Sequence, residues 1–320
     1  MNLERLPGLL ILLAACGPGE LAFEGEVEAP PAAIAETSAE LKVPREERAD
    51  TVDVGSWNVE WFGDPLNGPA DEAKQQANVA RVLAQLDLDL VGLVEVVSEE
   101  AFAALMAKLP GHRGLLVTDP RVTGGAQYYS AREQKVALVY RQRFTVDSAR
   151  VVLTEAAWSF AGRPPLEVKL SFSENGKPRT LVVLVAHFKA MANLDGYQRR
   201  VTAAAALKQH LDAQYPRSWV LVVGDLNDDI DTSTYRGSPS PFGPLVADPG
   251  YRFTTDALSA AHTSTTVNFS STIDHHLVTS QLAQRFVAGS ARVLRVDGYV
   301  PGYGTNTTDH YPVLTRYDLR

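Results

Sequence analysis

The most informative stretch of the chain is Val220-Leu221-Val222-Val223-Gly224-Asp225-Leu226-Asn227-Asp228-Asp229. Four consecutive apolar residues predict a fully buried strand, and the oxygen-bearing side chains that follow lie where open α/β sheets place their functional sites. The alternative interpretation is an ordinary turn, because Gly, Asp and Asn also close strands. The rest of the sequence has to decide between the two.

Other predicted strands also end in polar side chains. Buried strands are indicated at residues 52–57, 90–94, 136–140 and 181–186, with further strands near the carboxyl terminus. The polar groups at or beside strand ends are Asn58, Glu60, Glu95, His187, Asp274, Asp309 and His310. Several such groups at one sheet edge would line a cleft with oxygens and imidazoles. Oxygen ligands without cysteine suit Mg²⁺, Mn²⁺ or Ca²⁺ better than a structural zinc ion.

Helical periodicity alternates with these strands. Apolar residues recur at helical spacing in residues 71–86 and 196–213, and Ser98 is placed to cap a helix that follows Glu95. The Asn175-Gly176 pair predicts a tight hairpin and therefore antiparallel pairing. The sequence thus predicts an α/β fold with a mixed sheet.

Several cations are candidate contacts for a phosphate group. Arg199 and Arg200 lie in the first turn of the helix predicted at residues 196–213, where positive charge opposes the helix macrodipole. A nearby anion would explain them, and the alternative is that each points to solvent. We predict Arg199, Lys189 and Arg132 as phosphate-binding residues, with a solvated surface as the alternative for Arg132.

The amino terminus is predicted to be a lipoprotein signal peptide, residues 1–16. Arg5 precedes an apolar run that ends in Leu13-Ala14-Ala15-Cys16, which resembles a bacterial lipobox with Cys16 as the lipidated residue. A plain secretory signal and a buried apolar segment are the alternatives. The run is too short for a stable transmembrane helix. The prediction places the protein in the bacterial cell envelope, with lipidated Cys16 as its only membrane contact.

Residues 17–50 are predicted to be a disordered acidic tether, followed by the folded domain at residues 51–320. The tether is rich in Pro, Ala and Glu, and its nine acidic and three basic residues account for −6 of the net charge of −8. The domain therefore carries about −2. Near neutrality does not exclude a phosphate-bearing substrate, although it supplies no overall basic field.

Six short motifs, taken in order, resemble the endonuclease/exonuclease/phosphatase superfamily. They are Trp57-Asn58-Val59-Glu60, Val94-Glu95-Val96, Val185-Ala186-His187-Phe188-Lys189, Gly224-Asp225-Leu226-Asn227, Ile273-Asp274-His275 and Thr308-Asp309-His310-Tyr311-Pro312-Val313. Each motif is weak alone, but their order over residues 52–317 is specific. The resemblance implies a DNase I-like four-layer α/β sandwich, in which two mixed β-sheets pack face to face with helices outside.

The resemblance also implies a set of metal ligands. Glu95 would be the main ligand, with Asn58 and Glu60 beside it and Asp309 close to the same ion. The implied cofactor is Mg²⁺, or Mn²⁺ or Ca²⁺ in its place.

Catalytic roles are implied by the same resemblance. Asp225 would orient or deprotonate the attacking water, and Asn227 would bind a phosphate oxygen. His310, held by Asp274, would contact the scissile phosphate, and His187 would be the other catalytic imidazole. Water would then attack phosphorus in line while positive groups take up the developing charge.

One position departs from the family pattern. DNase I-like members hold the first imidazole with a glutamate, and by register that position is Gln134 here. A neutral amide could orient His187 but could not stabilise its charged form as a carboxylate does. The role of His187 as an acid/base or as a simple phosphate donor therefore stays open.

Three functions remain in competition. The first is a metal-dependent nuclease acting on DNA, or on RNA, as a monomer without a protein partner; cleavage by the wild type and not by His310→Ala would support it. The second is a phosphodiesterase or phosphatase for small or lipid phosphates, which a substrate panel would identify. The third is a non-catalytic, lipid-anchored binding domain, which would bind no Mn²⁺ either with or without Glu95.

Overall fold

The computed structural model describes residues 42–320. The predicted signal peptide, with Cys16, and residues 17–41 of the predicted tether lie outside the described residues. Within residues 42–320 the strands are β1 (Val52–Phe62), β2 (Leu90–Val96), β3 (His112–Leu116), β4 (Val122–Thr123), β5 (Lys135–Arg141), β6 (Thr145–Val151), β7 (Leu166–Glu174), β8 (Lys177–His187), β9 (Val220–Asp225), β10 (Tyr251–Phe253), β11 (Asp274–Thr279), β12 (Arg292–Val293) and β13 (Val313–Tyr317).

Helices occupy the connections between these strands. In the same part of the chain they are α1 (Glu72–Leu86), α2 (Glu99–Ala107), α3 (Gly125–Tyr128), α4 (Leu194–Gln214), α5 (Gly243–Val246), α6 (Asp256–Ala260), α7 (Ser280–Ala283) and α8 (Tyr303–Asn306), with 3₁₀ helices at Thr154–Ala156 and Val296–Gly298. Ser98 caps α2 as predicted, since its side chain accepts the Ala101 N–H. No helix within residues 42–320 is both long and apolar enough to cross a membrane.

The strands form two mixed sheets. One has the order β12-β13-β1-β2-β5-β3, with β1 parallel to β2 and antiparallel to β13. The other has the order β10-β11-β9-β8-β7-β6-β4, with β8 parallel to β9 and β9 antiparallel to β11. The Asn175-Gly176 pair closes the antiparallel β7–β8 hairpin as predicted.

The sheets pack face to face through one apolar core. Val94 of the first sheet and Val223 of the second belong to the same buried cluster. A Cβ atom added to Gly92 in β2 would lie 2.6 Å from a methyl of Val223, so the sheets approach closely there. Helices α1 and α2 cover the outer face of the first sheet and α4 that of the second. The predicted four-layer α/β sandwich is confirmed.

The folded domain begins earlier than the composition predicts. Val43 is buried in the core, and the backbone N–H of Glu46 donates to Leu86 O at 3.0 Å. The Glu46 carboxylate also pairs with buried Arg316 at 2.8 Å. Residues 42–50, which the sequence prediction assigned to the tether, therefore pack on the domain.

Candidate active site

The carboxyl ends of β1, β2, β8 and β9 open into one cavity of about 590 Å³. Its lining residues are Glu60, Trp61, Glu95, His187, Ala190, Met191, Ala192, Asp225, Asn227, Thr234, Phe269, Ser271, Ile273, Asp309 and His310. Asn58 and Asp274 are buried directly behind this surface. The structure therefore brings together every predicted metal-binding and catalytic residue.

Close pairing of β8 and β9 fixes the floor of the cavity. The parallel register places Ala186 beside Gly224 and His187 beside Asp225. Gly224 has φ +141, and a Cβ atom there would overlap the Ala186 carbonyl, so only glycine lets the strands meet in this register. The Asp225 Oδ1 atom then accepts the Asn227 N–H at 2.9 Å, which joins the two residues of this loop.

Asn58 connects the carboxylates of the two sheets. Its Nδ2 atom donates to Glu95 Oε1 at 3.0 Å and to Asp225 Oδ2 at 3.1 Å. Its Oδ1 atom accepts the Glu60 N–H at 2.9 Å. Because both acids share one buried amide, a small shift of either sheet would displace both of them.

Left-handed backbone conformations concentrate at the cavity. Glu60, Trp61, Glu95 and Asn227 all have φ between +44 and +66. Non-glycine residues rarely adopt this region, and such strain persists where the surroundings impose it, often at functional sites. Strand β1 therefore does not end at about Trp57 as predicted but continues to Phe62 with an irregular register after Asn58. This irregularity turns the Trp61 N–H towards Glu95 Oε2, at 3.1 Å.

His310 is held by a buried carboxylate as the family resemblance implied. Its Nδ1 atom lies 2.9 Å from Asp274 Oδ2, and its Nε2 atom lies 3.8 Å from Asp225 Oδ2. Burial alone would lower the pKa of His310, but the Asp274 and Asp225 carboxylates raise it well above its ordinary value. His310 is thus fitted to carry positive charge towards the cavity.

His187 has a different environment. Its Nε2 atom lies 3.6 Å from both Glu95 Oε1 and Asp225 Oδ2, while its buried Nδ1 atom has no hydrogen-bond partner. Burial, and next the charge of Arg163, lower the pKa of His187 well below its ordinary value. These surroundings favour the neutral form of the His187 imidazole over the protonated form.

Gln134 does not hydrogen-bond to His187 Nδ1. Its side-chain oxygen accepts a hydrogen bond from Arg163 Nη1 instead, and Arg163 Nη2 donates to Phe188 O at 3.2 Å. Arg163 is almost fully buried. Burial lowers the pKa of its guanidinium, and the negative charge of Glu95 opposes this effect. The sequence analysis did not identify Arg163, because no local pattern indicates a cation whose partners lie in other parts of the chain.

The oxygen-bearing side chains fit a divalent cation. Burial, and next the charge of Asp309, raise the pKa of Glu60 to about 7, and its buried Oε2 atom has no partner. Burial also raises the pKa of Glu95. A bound cation would relieve both effects, and hard oxygen donors are the ligands that Mg²⁺ and Mn²⁺ prefer.

A second group of potential ligands adjoins this one. Asp225, Asp274 and His310 each offer one potential ligand atom, and these three atoms lie within 4.8 Å of one another. We interpret Asp274 and His310 as a hydrogen-bonded pair, because the 2.9 Å contact already uses His310 Nδ1. Asp225 lies between the Asp274–His310 pair and the oxygen donors Glu60 and Glu95, and it is available to either group.

The predicted phosphate-binding cations are not part of the cavity lining. Arg132 lines a separate cavity of about 470 Å³ with Asp64 and Glu100. Lys189 directs its Nζ atom to Ala190 O at 3.1 Å. Arg199 donates to Trp158 O and stacks on the Trp158 ring at 4.1 Å.

Arg200 has the nearby anion that its position predicted. Its Nε atom donates to Asp228 Oδ2 at 2.8 Å, and both side chains are fully buried. The partner is thus a protein carboxylate, and it lies three residues after Asp225. The pair therefore ties helix α4 to the loop that carries Asp225 and Asn227.

Comparisons with known proteins agree with this geometry. The model of the endonuclease/exonuclease/phosphatase family matches residues 55–310. No curated protein matches the chain.

Solved structures share the fold at low identity. Danio rerio TDP2 complexed with single strand DNA product is 15% identical, with a TM-score of 0.56 over 83% of this chain and 98% of that one. The human Nocturnin catalytic domain with bound sulfate is 15% identical, with a TM-score of 0.55 over 84% and 94%. A Bacteroides vulgatus endonuclease/exonuclease/phosphatase is 15% identical, with a TM-score of 0.56 over 84% and 99%.

Proposed function

Because the chain belongs to the endonuclease/exonuclease/phosphatase family, whose members are metal-dependent hydrolases of phosphoester bonds, we propose that it is a nuclease that hydrolyses phosphodiesters of DNA or RNA. The observation that carries this proposal is the convergence of Glu60, Glu95, Asp225, Asp309 and His310 on one cavity. A non-catalytic domain would have no need to retain these strained and desolvated acids together.

The metal would be held on the Glu60, Glu95 and Asp309 side of the cavity, with the Asn58 amide behind it. When bound, the cation supplies positive charge next to the phosphoryl oxygens, where negative charge develops during the reaction. The family is metal-dependent, and we propose Mg²⁺ or Mn²⁺ as the ion because the donors are oxygens.

Asp225 is placed to handle the attacking water. Its two oxygens each accept one hydrogen bond, from the Asn227 N–H and from Asn58 Nδ2. A carboxylate oxygen has a second lone pair, so Asp225 can still accept a hydrogen bond from water and orient it, or take its proton. Burial, and next the charge of Asp274, raise the pKa of Asp225 to about 7, which suits a proton acceptor near neutral pH.

The remaining polar groups bind the phosphoryl oxygens. His310 Nε2 faces the cavity because Nδ1 is bonded to Asp274. The Asn227 amide gives one N–H to Phe188 O at 3.2 Å and keeps a second for the substrate. Each such donor contributes about 10²- to 10³-fold to the rate when charge develops on the oxygen that it binds.

A substrate panel tests this proposal. Plasmid DNA, single-stranded DNA, RNA, nucleotides, inositol phosphates and sphingomyelin would each be incubated with the purified protein in Mg²⁺ or Mn²⁺, beside His310→Ala. We expect cleavage of a nucleic acid by the wild type only. Activity confined to the small or lipid substrates would overturn the nuclease proposal.

A hydrolase of small or lipid phosphodiesters is the second candidate. Met191 and Phe269 line the cavity, yet each keeps about two thirds of its surface exposed (64% and 66%). Exposed apolar groups beside a phosphate site would also suit a substrate with an apolar substituent. The same panel separates the two candidates.

The amino-terminal sequence supports a further proposal about location. We propose that residues 1–16 direct export and that lipidated Cys16 anchors the protein in the bacterial cell envelope as a monomer without a protein partner. Fractionation of cells that express wild type and Cys16→Ala tests the anchor. The wild type should be in the membrane fraction and the variant should not, and equal distribution would contradict the proposal.

A further inference from the structure

An exposed tryptophan lies on a segment that has no role so far. Trp158 is 74% exposed and belongs to the connection between β6 and β7. Tryptophan offers a large apolar ring and is seldom left in water without a partner. The exposed face of this ring is available to a binding partner.

Trp158 is held rigidly in this exposed position. Arg199 Nε donates to the Trp158 carbonyl at 3.0 Å, and the Arg199 guanidinium stacks on the ring at 4.1 Å. Asp195 pairs with Arg199 Nη1 at 3.4 Å, and the Arg199 side chain is only 12% exposed. Arg199 thus covers one face of the indole and leaves the other face to solvent.

The segment that carries Trp158 is anchored to the strand that carries His187. The Phe160 and Phe188 rings meet edge to face with centroids 4.9 Å apart, and Arg163 Nη2 donates to Phe188 O. Phe188 directly follows His187, and its N–H donates to Asp225 O at 2.9 Å. Two residues of chain span at most about 7 Å, so Trp158 is close to this anchor.

Positively charged side chains connect Trp158 to the cavity. Arg200, which follows Arg199 in α4, donates from Nη1 to Lys189 O at 2.9 Å, so Lys189 and Arg199 lie on adjoining segments. Lys189 Nζ lies 3.1 Å from the carbonyl of Ala190, and Ala190 lines the cavity. The surface therefore runs from an aromatic face, past two cations, to the phosphate site.

We propose that Trp158 is a stacking platform for an unpaired base of the nucleic acid whose phosphodiester lies in the cavity. This inference rests on the proposed nuclease function and specifies its substrate as single-stranded. Aromatic faces next to cations are the features by which proteins bind single strands without reading their sequence. Bases in a duplex are already stacked on one another and offer no free face to a protruding ring.

The absence of an overall basic field agrees with this substrate. A domain charge of about −2 for residues 51–320 gives little of the phosphate neutralisation on which duplex binding depends. Stacking would supply affinity that charge does not. We therefore expect binding that depends more on the ring of Trp158 than on salt.

Binding to a labelled oligothymidylate tests the inference. The full chain and its Trp158→Ala and Trp158→Phe variants would be titrated in EDTA, so that no metal-dependent cleavage occurs. Loss of one stacked base should raise Kd about 5- to 150-fold in Trp158→Ala, while Trp158→Phe should retain most of the affinity. Val246→Ala, which truncates an exposed apolar residue of α5, is the matched control and should bind as the wild type does.

A strand with abasic positions distinguishes stacking from a structural role. If Trp158 stacks on a base, the losses of binding free energy caused by removing that base and by Trp158→Ala should not add, because both changes remove the same contact. Three results would each overturn the inference. Trp158→Ala could weaken the binding of intact and abasic strands equally, or leave the affinity unchanged, or weaken duplex binding as much as single-strand binding. Cleavage in Mg²⁺ is measured separately and reports on the proposed nuclease function. A failure of the stacking inference is therefore distinguishable from a failure of the proposed function.

Discussion

Replacing Asp274 by Asn should slow the reaction without changing the shape of the site. Asp274 is fully buried, and its Oδ2 atom lies 2.9 Å from His310 Nδ1. Asn keeps the size of the side chain but removes the charge that favours a protonated His310. His310 would then face the phosphate mainly as a neutral group.

Two estimates bracket the effect. A hydrogen bond to a charged group contributes about 1.5–3 kcal/mol and a neutral one about 0.5–1.5, so loss of the charge typically costs about 1 kcal/mol, or roughly fivefold. Loss of a charged donor at the transition state costs about 10²- to 10³-fold. We expect kcat to fall between these limits. KM should change little, because Asp274 lies behind the cavity and does not line it.

Initial rates of oligonucleotide cleavage measure this effect. Asp256→Asn is the matched control, since it makes the same chemical change at an exposed carboxylate of α6. Urea unfolding would confirm that both variants are folded. A folded Asp274→Asn enzyme with the wild-type kcat would refute the role that we assign to the His310–Asp274 pair.

Three further predictions concern the metal, the acid stability and the support of the site. Glu95→Gln should weaken Mn²⁺ binding at least about tenfold in calorimetry, whereas Glu100→Gln, an exposed neighbour, should not; equal affinities would exclude Glu95 as a ligand. Burial, and next the charge of His275, lower the pKa of His276 to about 3. As pH falls, the unfolded chain therefore binds a proton at this histidine before the folded protein does. The contribution of neutral His276 to the free energy of unfolding is complete above about pH 6.5. Between about pH 6.5 and 3 the free energy of unfolding falls by up to about 1.4 kcal/mol per pH unit. His276→Gln should flatten the decline of the free energy of unfolding with falling pH, and parallel curves for the two proteins would contradict this. Arg200→Met leaves Asp228 buried without its cation and should lower the free energy of unfolding in urea by about 3–5 kcal/mol, while Arg199→Met should cost much less; similar losses would contradict the buried pairing.

Most side chains that line the cavity could be predicted because they follow buried apolar runs. A strand such as β9 is recognisable from Val220 to Val223, and the register of β8 and β9 then places His187 and Asp225 side by side. The family motifs supplied the order of the remaining groups. The confirmed four-layer fold follows from the same strands and from the helices between them.

Contacts between distant parts of the chain could not be predicted. The sequence analysis chose Arg199 as the phosphate contact, and the buried pairing of Arg200 with Asp228 could not be foreseen, because both arginines occupy the same helical turn. Arg163 was missed since its partners, Gln134 and Phe188, are 29 and 25 residues away. The packing of Val43 was hidden by the composition around it, which is typical of disordered chain.

The left-handed turn of β1 was also beyond sequence patterns. The sequence predicts a strand at residues 52–57, and nothing in it indicates that the strand continues to Phe62 with φ +44 at Glu60 and φ +50 at Trp61. The Glu60 N–H donates to Asn58 Oδ1 within β1, whereas the Trp61 N–H donates across strands to Glu95 Oε2, a contact that forms only in the folded domain.

The most direct test of the account is the rate of cleavage of a single-stranded oligonucleotide by the wild type and by Asp225→Asn, each in Mg²⁺ and in EDTA. We predict cleavage by the wild type in Mg²⁺ only, and a rate about 10²- to 10⁴-fold lower for Asp225→Asn, because the water loses the group that orients it or accepts its proton. Equal rates in Mg²⁺ and EDTA, or equal rates for the two proteins, would contradict metal-dependent hydrolysis at this cavity.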